Sequence, residues 1–88
     1  MIIEWDEKKN AILKKERGLS FEMVLEAIED GRVMDDYEHN QASYSHQRIL
    51  IIKLDGYPIM VPYDVQEGDR IFLKTMFHNR KLKGVYDE

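Results

Sequence analysis

The dipeptide Asp55-Gly56 constrains this chain more than any other feature. It follows the apolar run Arg48-Ile49-Leu50-Ile51-Ile52-Lys53-Leu54 and precedes a stretch in which Tyr57, Ile59, Val61, Tyr63 and Val65 alternate with other residues. Asp-Gly tolerates the positive φ angles of a two-residue hairpin turn, and period-two alternation marks a strand with one buried face. The two segments therefore predict a β-hairpin whose first strand is buried. Pro58 and Pro62 fall on the other parity of the second strand. Proline withholds a ladder donor, so that strand needs either an edge or an irregularity there, and the sequence leaves the choice open.

The rest of the chain has to share a core with this hairpin, because 88 residues suffice for a single domain, here 1–88, and not for two. Ile2, Ile3 and Trp5 read as a short opening strand, and Asp6 as the N-cap of a helix from Glu7 to Glu16 that Gly18 stops. Ser20 caps a second helix in which Phe21, Val24, Leu25 and Ile28 form one apolar stripe, with Glu22, Glu26 and Glu29 outside it and Gly31 at its end. A strand around Arg32 to Asp36 follows, then a polar loop from Tyr37 to His46. After the hairpin, Glu67-Gly68-Asp69 turns the chain into a last strand from Arg70 to Phe77, and Asn79 to Tyr86 reads as a short terminal helix. The expected fold class is α+β: two N-terminal helices packed on a mostly antiparallel sheet of four to five strands, with a short C-terminal helix.

Composition narrows the chemistry. There is no cysteine, which excludes a disulfide framework, a thiolate zinc site and a cysteine nucleophile together. The start lacks a basic leader and the longest apolar run, Ile49 to Ile52, is too short for a bilayer, so the expectation is a soluble cytoplasmic protein without membrane contact. The formal net charge is −4, but it is unevenly placed. Between Gly18 and Gln47 the acids Glu22, Glu26, Glu29, Asp30, Asp35, Asp36 and Glu38 face only Arg32, whereas Arg70, Lys74, Arg80, Lys81 and Lys83 meet no acid between positions 70 and 83. Either run also reads as plain solvated surface.

If the last strand runs on past Phe77, then Phe72, Lys74, Met76, His78 and Arg80 share one face, and Lys81 follows at once. Such a group suits cleavage of RNA by attack of a 2′-hydroxyl on its own phosphodiester. That reaction needs proton transfer at both oxygens and fixed positive charge on the phosphorane. His78 is the candidate acid or base, and Lys74, Arg80 and Lys81 the candidate phosphate groups. Arg48, Arg70 and Lys83 are candidate RNA-binding cations, and Phe77, Tyr86 or Tyr44 candidate stacking platforms. No metal or cofactor is required. His39 and His46 read as loop residues, the spacing of the three histidines does not suit a helical zinc pair, and Asp35, Asp36 and Glu38 read as an acidic strand exit.

The segments Ile3-Glu4-Trp5-Asp6-Glu7-Lys8-Lys9-Asn10, Gly18-Leu19-Ser20-Phe21-Glu22 and Asp69-Arg70-Ile71, with the basic, tyrosine-containing tail, resemble the BrnT toxins in the same order over nearly the whole chain. The resemblance implies a RelE-like ribonuclease fold and the toxin role in a type II toxin–antitoxin pair. It implies an endoribonuclease that stops translation, and a ribbon-helix-helix antitoxin as partner, with DNA reached only through the complex. Where that family carries His-Gly before the Ser-Phe-Glu segment, this chain has Arg17-Gly18, and Thr75-Met76-Phe77-His78-Asn79-Arg80-Lys81 replaces the usual tail. The alternative expectation is a catalytically degenerate, toxin-like binding module that acts by holding a partner protein, which the acidic total favours.

Overall fold

In the computed structural model, which describes residues 1–38 and 47–78, the elements are β1 (Ile2–Trp5), α1 (Glu7–Arg17), α2 (Phe21–Glu29), β2 (Val33–Glu38), β3 (Gln47–Leu54), β4 (Tyr57–Gln66), β5 (Arg70–Leu73) and β6 (Phe77–His78). They form an α+β fold in which both helices lie on one six-stranded sheet, ordered β1-β5-β4-β3-β2, with β6 paired to β4. Strand β1 runs parallel to β5, and the other pairings are antiparallel. The hairpin forms as expected: Leu54 pairs with Tyr57, and Asp55 and Gly56 take φ values of 49° and 82°. Positive φ at both central residues matches the right-handed twist of the flanking strands.

Parity decides which residues meet the helices. Leu50 and Ile52 of β3, Ile59, Val61 and Tyr63 of β4 and Leu73 of β5 join Leu13, Leu19, Phe21, Val24, Ala27 and Met76 in one core. Ile49 and Ile51, of the other parity, are buried as well, so β3 is covered on both faces. Trp5 closes the helix side near β1, its ring centroid 5.7 Å from that of Phe21. No helix among the described residues is long and apolar enough to cross a membrane.

The helix pair is held by a residue that periodicity does not single out. Asn10 of α1 is 1% exposed. Its Oδ1 accepts the backbone N–H of Phe21 at 2.8 Å, and its Nδ2 donates to Glu22 Oε1 at 2.8 Å. Ser20 occupies the N-cap position of α2, as expected, but its side chain makes no cap bond, and Asn10 satisfies the first helical amide instead. Asp6 does cap α1, accepting from Lys8 N at 2.8 Å, and Gly18 ends it with φ 67°.

Two strand boundaries depart from the sequence reading. Strand β2 continues through Tyr37 and Glu38, which pair with Ile49 and Arg48, where a loop was expected. Expected loop residues His39, Tyr44 and His46, and the expected terminal helix, lie outside the described residues. The last strand does not run from Arg70 to Phe77: it stops at Leu73 and resumes as β6, giving six strands among the described residues where four or five were expected. Pro62 explains the break. Its carbonyl accepts from Lys74 N at 2.9 Å, so its nitrogen, which has no hydrogen to give, points to the same side of β4. Partner strands pair with β4 on either side of that point, at Tyr63–Gln66 and at Ile59–Met60. The prolines thus call for an irregularity, and it is the gap between β5 and β6.

Replacing Asn10 with alanine leaves a buried amide without its acceptor, and is expected to cost about 1–3 kcal/mol of unfolding free energy in urea titrations. Ser20→Ala, which removes no cap bond, should cost clearly less. The same contact makes folding acid-sensitive. The Asn10 amide and a backbone N–H hold the Glu22 carboxyl below the usual carboxylate range. A depressed folded pKa stabilises at neutral pH and is lost as pH falls through it, so Glu22→Gln should flatten the acid side of the stability profile.

Candidate functional site

The hairpin turn, the turn between the helices and β6 meet around an open cleft of about 470 Å³. Its polar lining is Arg17, Glu26, Arg32, Asp55, Tyr57 and His78. Each is brought there by a local feature of the chain. Arg17 closes the last turn of α1, and Gly18 redirects the chain at once. Glu26 lies on α2 outside the apolar stripe. Arg32 sits between α2 and β2, where its backbone N–H donates to Ala27 O at 2.8 Å. Asp55 and Tyr57 flank the tip of the hairpin, and Tyr57 is 50% exposed. His78 pairs with Ile59, a core residue, so its imidazole lies on the helix side of the sheet.

Both guanidinium groups are anchored to backbone oxygen. Arg17 Nη1 donates to Met76 O at 2.7 Å, and Arg32 Nη1 donates to Lys53 O at 3.1 Å while Nη2 pairs with Asp30 at 3.1 Å. A guanidinium has five N–H donors in a fixed fork, so these bonds orient each group and leave donors for a ligand. An imidazole, two oriented cations, two carboxylates and a half-exposed aromatic ring around one cleft can bind a phosphodiester and move protons at it. Among the described residues no group of three or more histidine, aspartate or glutamate side chains is placed to hold a metal ion.

The residues singled out from the sequence do not all meet here. The break at positions 74–76 overturns the shared face expected for Phe72, Lys74, Met76 and His78. Met76 is fully buried in the helix-side core, whereas Lys74 stands over the Phe72 ring at 5.8 Å and pairs with Asp64 at 3.5 Å. Asp64 and Phe72 are register partners of the parity that faces away from the helices, so Lys74 and His78 lie on opposite faces. Phe77 pairs with Met60 on that same outer face, and Arg70 pairs there with Glu4 at 3.8 Å. Arg48 lies at the far end of the β3–β4 ladder. Its register position is six residues from the Leu54–Tyr57 pair, roughly 20 Å along the strand. Arg80, Lys81, Lys83 and Tyr86 lie outside the described residues.

Of the polar lining, Arg17, Glu26, Arg32, Asp55 and Tyr57 are not among the site residues expected from the sequence. Two of them carried a signal: Arg17 replaces the histidine of the resembling family, and Arg32 is the lone base in the acidic stretch. Nothing in the periodicity marks Glu26 or Tyr57 as neighbours of His78, because that adjacency arises only when the helix pair lies across the hairpin.

Arg48 belongs to a separate polar cluster. Asp36 accepts Arg48 Nε at 3.0 Å and the Tyr63 hydroxyl at 2.8 Å, and Tyr63 is only 5% exposed. Burial, reinforced by the Asp36 carboxylate that takes its hydrogen bond, pushes the Tyr63 phenol up to about 12. A raised folded pKa stabilises below the ordinary tyrosine value and is lost as pH rises. Stability should therefore decline between about pH 10 and 12, and Tyr63→Phe should remove that part of the decline in chemical denaturation measured across the alkaline range.

Compared with known proteins, the chain matches no family model, and neither a curated protein nor a solved structure is significantly similar to it.

Proposed function

We propose that this protein is the toxin of a type II toxin–antitoxin pair, a RelE-like, metal-independent endoribonuclease that cleaves RNA and stops translation. The observation that carries the reading is the cleft in which His78 stands with Arg17 and Arg32. Two helices on one face of a largely antiparallel sheet suit a RelE-like fold, and the segment order that resembles BrnT toxins points the same way.

In this scheme the 2′-oxygen attacks the adjacent phosphorus as its proton leaves to a base, and a 2′-O–P bond forms. The P–O5′ bond then breaks, the departing oxygen takes a proton, and a 2′,3′-cyclic phosphate remains. His78 serves one of the two proton transfers, because an imidazole can both take and give a proton. Arg17 and Arg32 supply positive charge to the phosphorane, where fixed donors act most strongly. Tyr57, half-exposed at the lip, offers a ring on which a base can stack. Arg80 and Lys81 follow His78 in the chain and remain candidate phosphate ligands. The partner in this reading is a ribbon-helix-helix antitoxin that covers the Arg17 and Arg32 guanidinium groups with acidic or aromatic residues.

A second reading, a toxin-like binding module without catalysis, is favoured by the acid-rich surface of α2 and β2, where Glu22, Glu29, Asp35, Asp36 and Glu38 are exposed. Induction without a partner and incubation of purified protein with single-stranded RNA in chelator separate the two. The ribonuclease reading expects growth arrest and metal-independent cleavage. It also expects His78→Gln to lower kcat/KM by roughly 10²- to 10⁴-fold, the usual contribution of a general acid or base. Normal growth and intact RNA beside a stable protein complex would favour the binding module.

A further inference from the structure

We propose that Arg17 is a positioning residue for His78, acting through the backbone carbonyl of Met76; the proposal rests on reading the cleft as a phosphodiester-cleaving site. Pro62 interrupts the last strand, so His78 is carried on a two-residue strand after a three-residue gap, with only the pairs Ile59–His78 and Met60–Phe77 holding it in the sheet. So short a ladder does not define the position of its terminal residue by itself. The gap must be pinned, and three contacts do so. Lys74 N donates to Pro62 O at 2.9 Å where β5 ends, the Met76 side chain is fully buried in the core, and Arg17 Nη1 donates to Met76 O at 2.7 Å.

The last contact differs from the other two. It joins residues 59 positions apart, reaches the gap from α1 rather than from the sheet, and acts two residues before the imidazole. A charged donor on a carbonyl makes a stronger bond than a neutral one, and a planar fork gives it direction. Arg17 is itself held in place, because Gly18 ends α1 in a left-handed turn and its N–H bonds to Leu13 O. The rigid end of a helix thus sets the register of β6, and β6 sets His78. Catalytic groups lose about 10²-fold in rate for misplacements near 1 Å, so a tether of this kind is worth more in kcat than in binding.

The test uses the full chain, a single-stranded RNA oligonucleotide, and the variants Arg17→Met and Arg17→Lys. Amide hydrogen exchange at Phe77 and His78 is followed beside cleavage kinetics. Positioning predicts that Arg17→Met lowers kcat on the order of 10- to 100-fold with KM within about twofold, and speeds exchange in β6 while β3 stays protected. Arg17→Lys, which keeps a charged donor for the carbonyl, recovers part of both. A rise in KM or a fall in kcat with β6 exchange unchanged would make Arg17 a direct ligand of substrate or phosphorane only and overturn the proposal. Absence of cleavage by the wild-type chain would overturn the ribonuclease reading and the positioning role together. Cleavage by wild type and Arg17→Met alike, with unaltered exchange, would overturn the positioning role alone.

Discussion

The first amide hydrogens of a helix point out of its N-terminal end with no partner in the helix itself. At the start of α2 that problem is solved from outside, by a carboxamide of α1. Asn10 takes the Phe21 amide and gives a hydrogen to Glu22, so the polar start of α2 is closed where Phe21, fully buried, enters the core. Because one side chain serves both helices, their relative position is fixed at the point where the chain turns through Gly18. Arg17 on one helix and Glu26 on the other come to the cleft as a consequence of that single docking.

The opposite wall of the cleft depends on two prolines that look, in the sequence, like defects in a strand. Their parity faces away from the helices, so the core is indifferent to their rings, while the missing N–H falls on the side of β4 that carries β5 and β6. A continuous partner strand would leave an acceptor unmatched at Pro62. The chain instead lets β5 end, drops Met76 into the core and returns as β6. That detour exchanges the faces: alternation along an unbroken strand would put Lys74 and His78 together, and the gap puts them on opposite sides.

Legibility in the sequence follows from the range of the interactions. The Asp55-Gly56 turn, the Phe21-Val24-Ile28 stripe and the Asp6 cap are decided within a few residues, and each stands where the sequence placed it. The Asn10 cap spans 11 residues and the Arg17 tether 59, distances at which periodicity carries no information. The face assignment for His78 failed for a related reason, since it assumed that backbone parity survives from Arg70 to Arg80. The prolines warned that β4 has an irregular partner, but only the pairing shows which strand absorbs the irregularity.

The cleft concentrates two guanidinium groups within an acidic molecule of net charge −4. Several cations outside it already face acids: Arg48 meets Asp36 at 3.0 Å, Lys74 meets Asp64 at 3.5 Å and Arg70 meets Glu4 at 3.8 Å. Exposed pairs of this kind add little stability, but each cancels charge that a polyanion would otherwise feel. Within the cleft Arg32 likewise pairs with Asp30 at 3.1 Å, whereas Arg17 donates to a neutral carbonyl, which orients the cation without neutralising it. A long nucleic acid laid across the surface meets acids on α2 and β2 and gains little from counterion release. A short single-stranded segment entering the cleft meets two oriented guanidinium groups, an imidazole and an aromatic ring at close range, together with the carboxylates of Glu26 and Asp55. On the proposed ribonuclease reading, attraction to RNA would be local rather than diffuse, and recognition would fall on the few nucleotides that the cleft can hold.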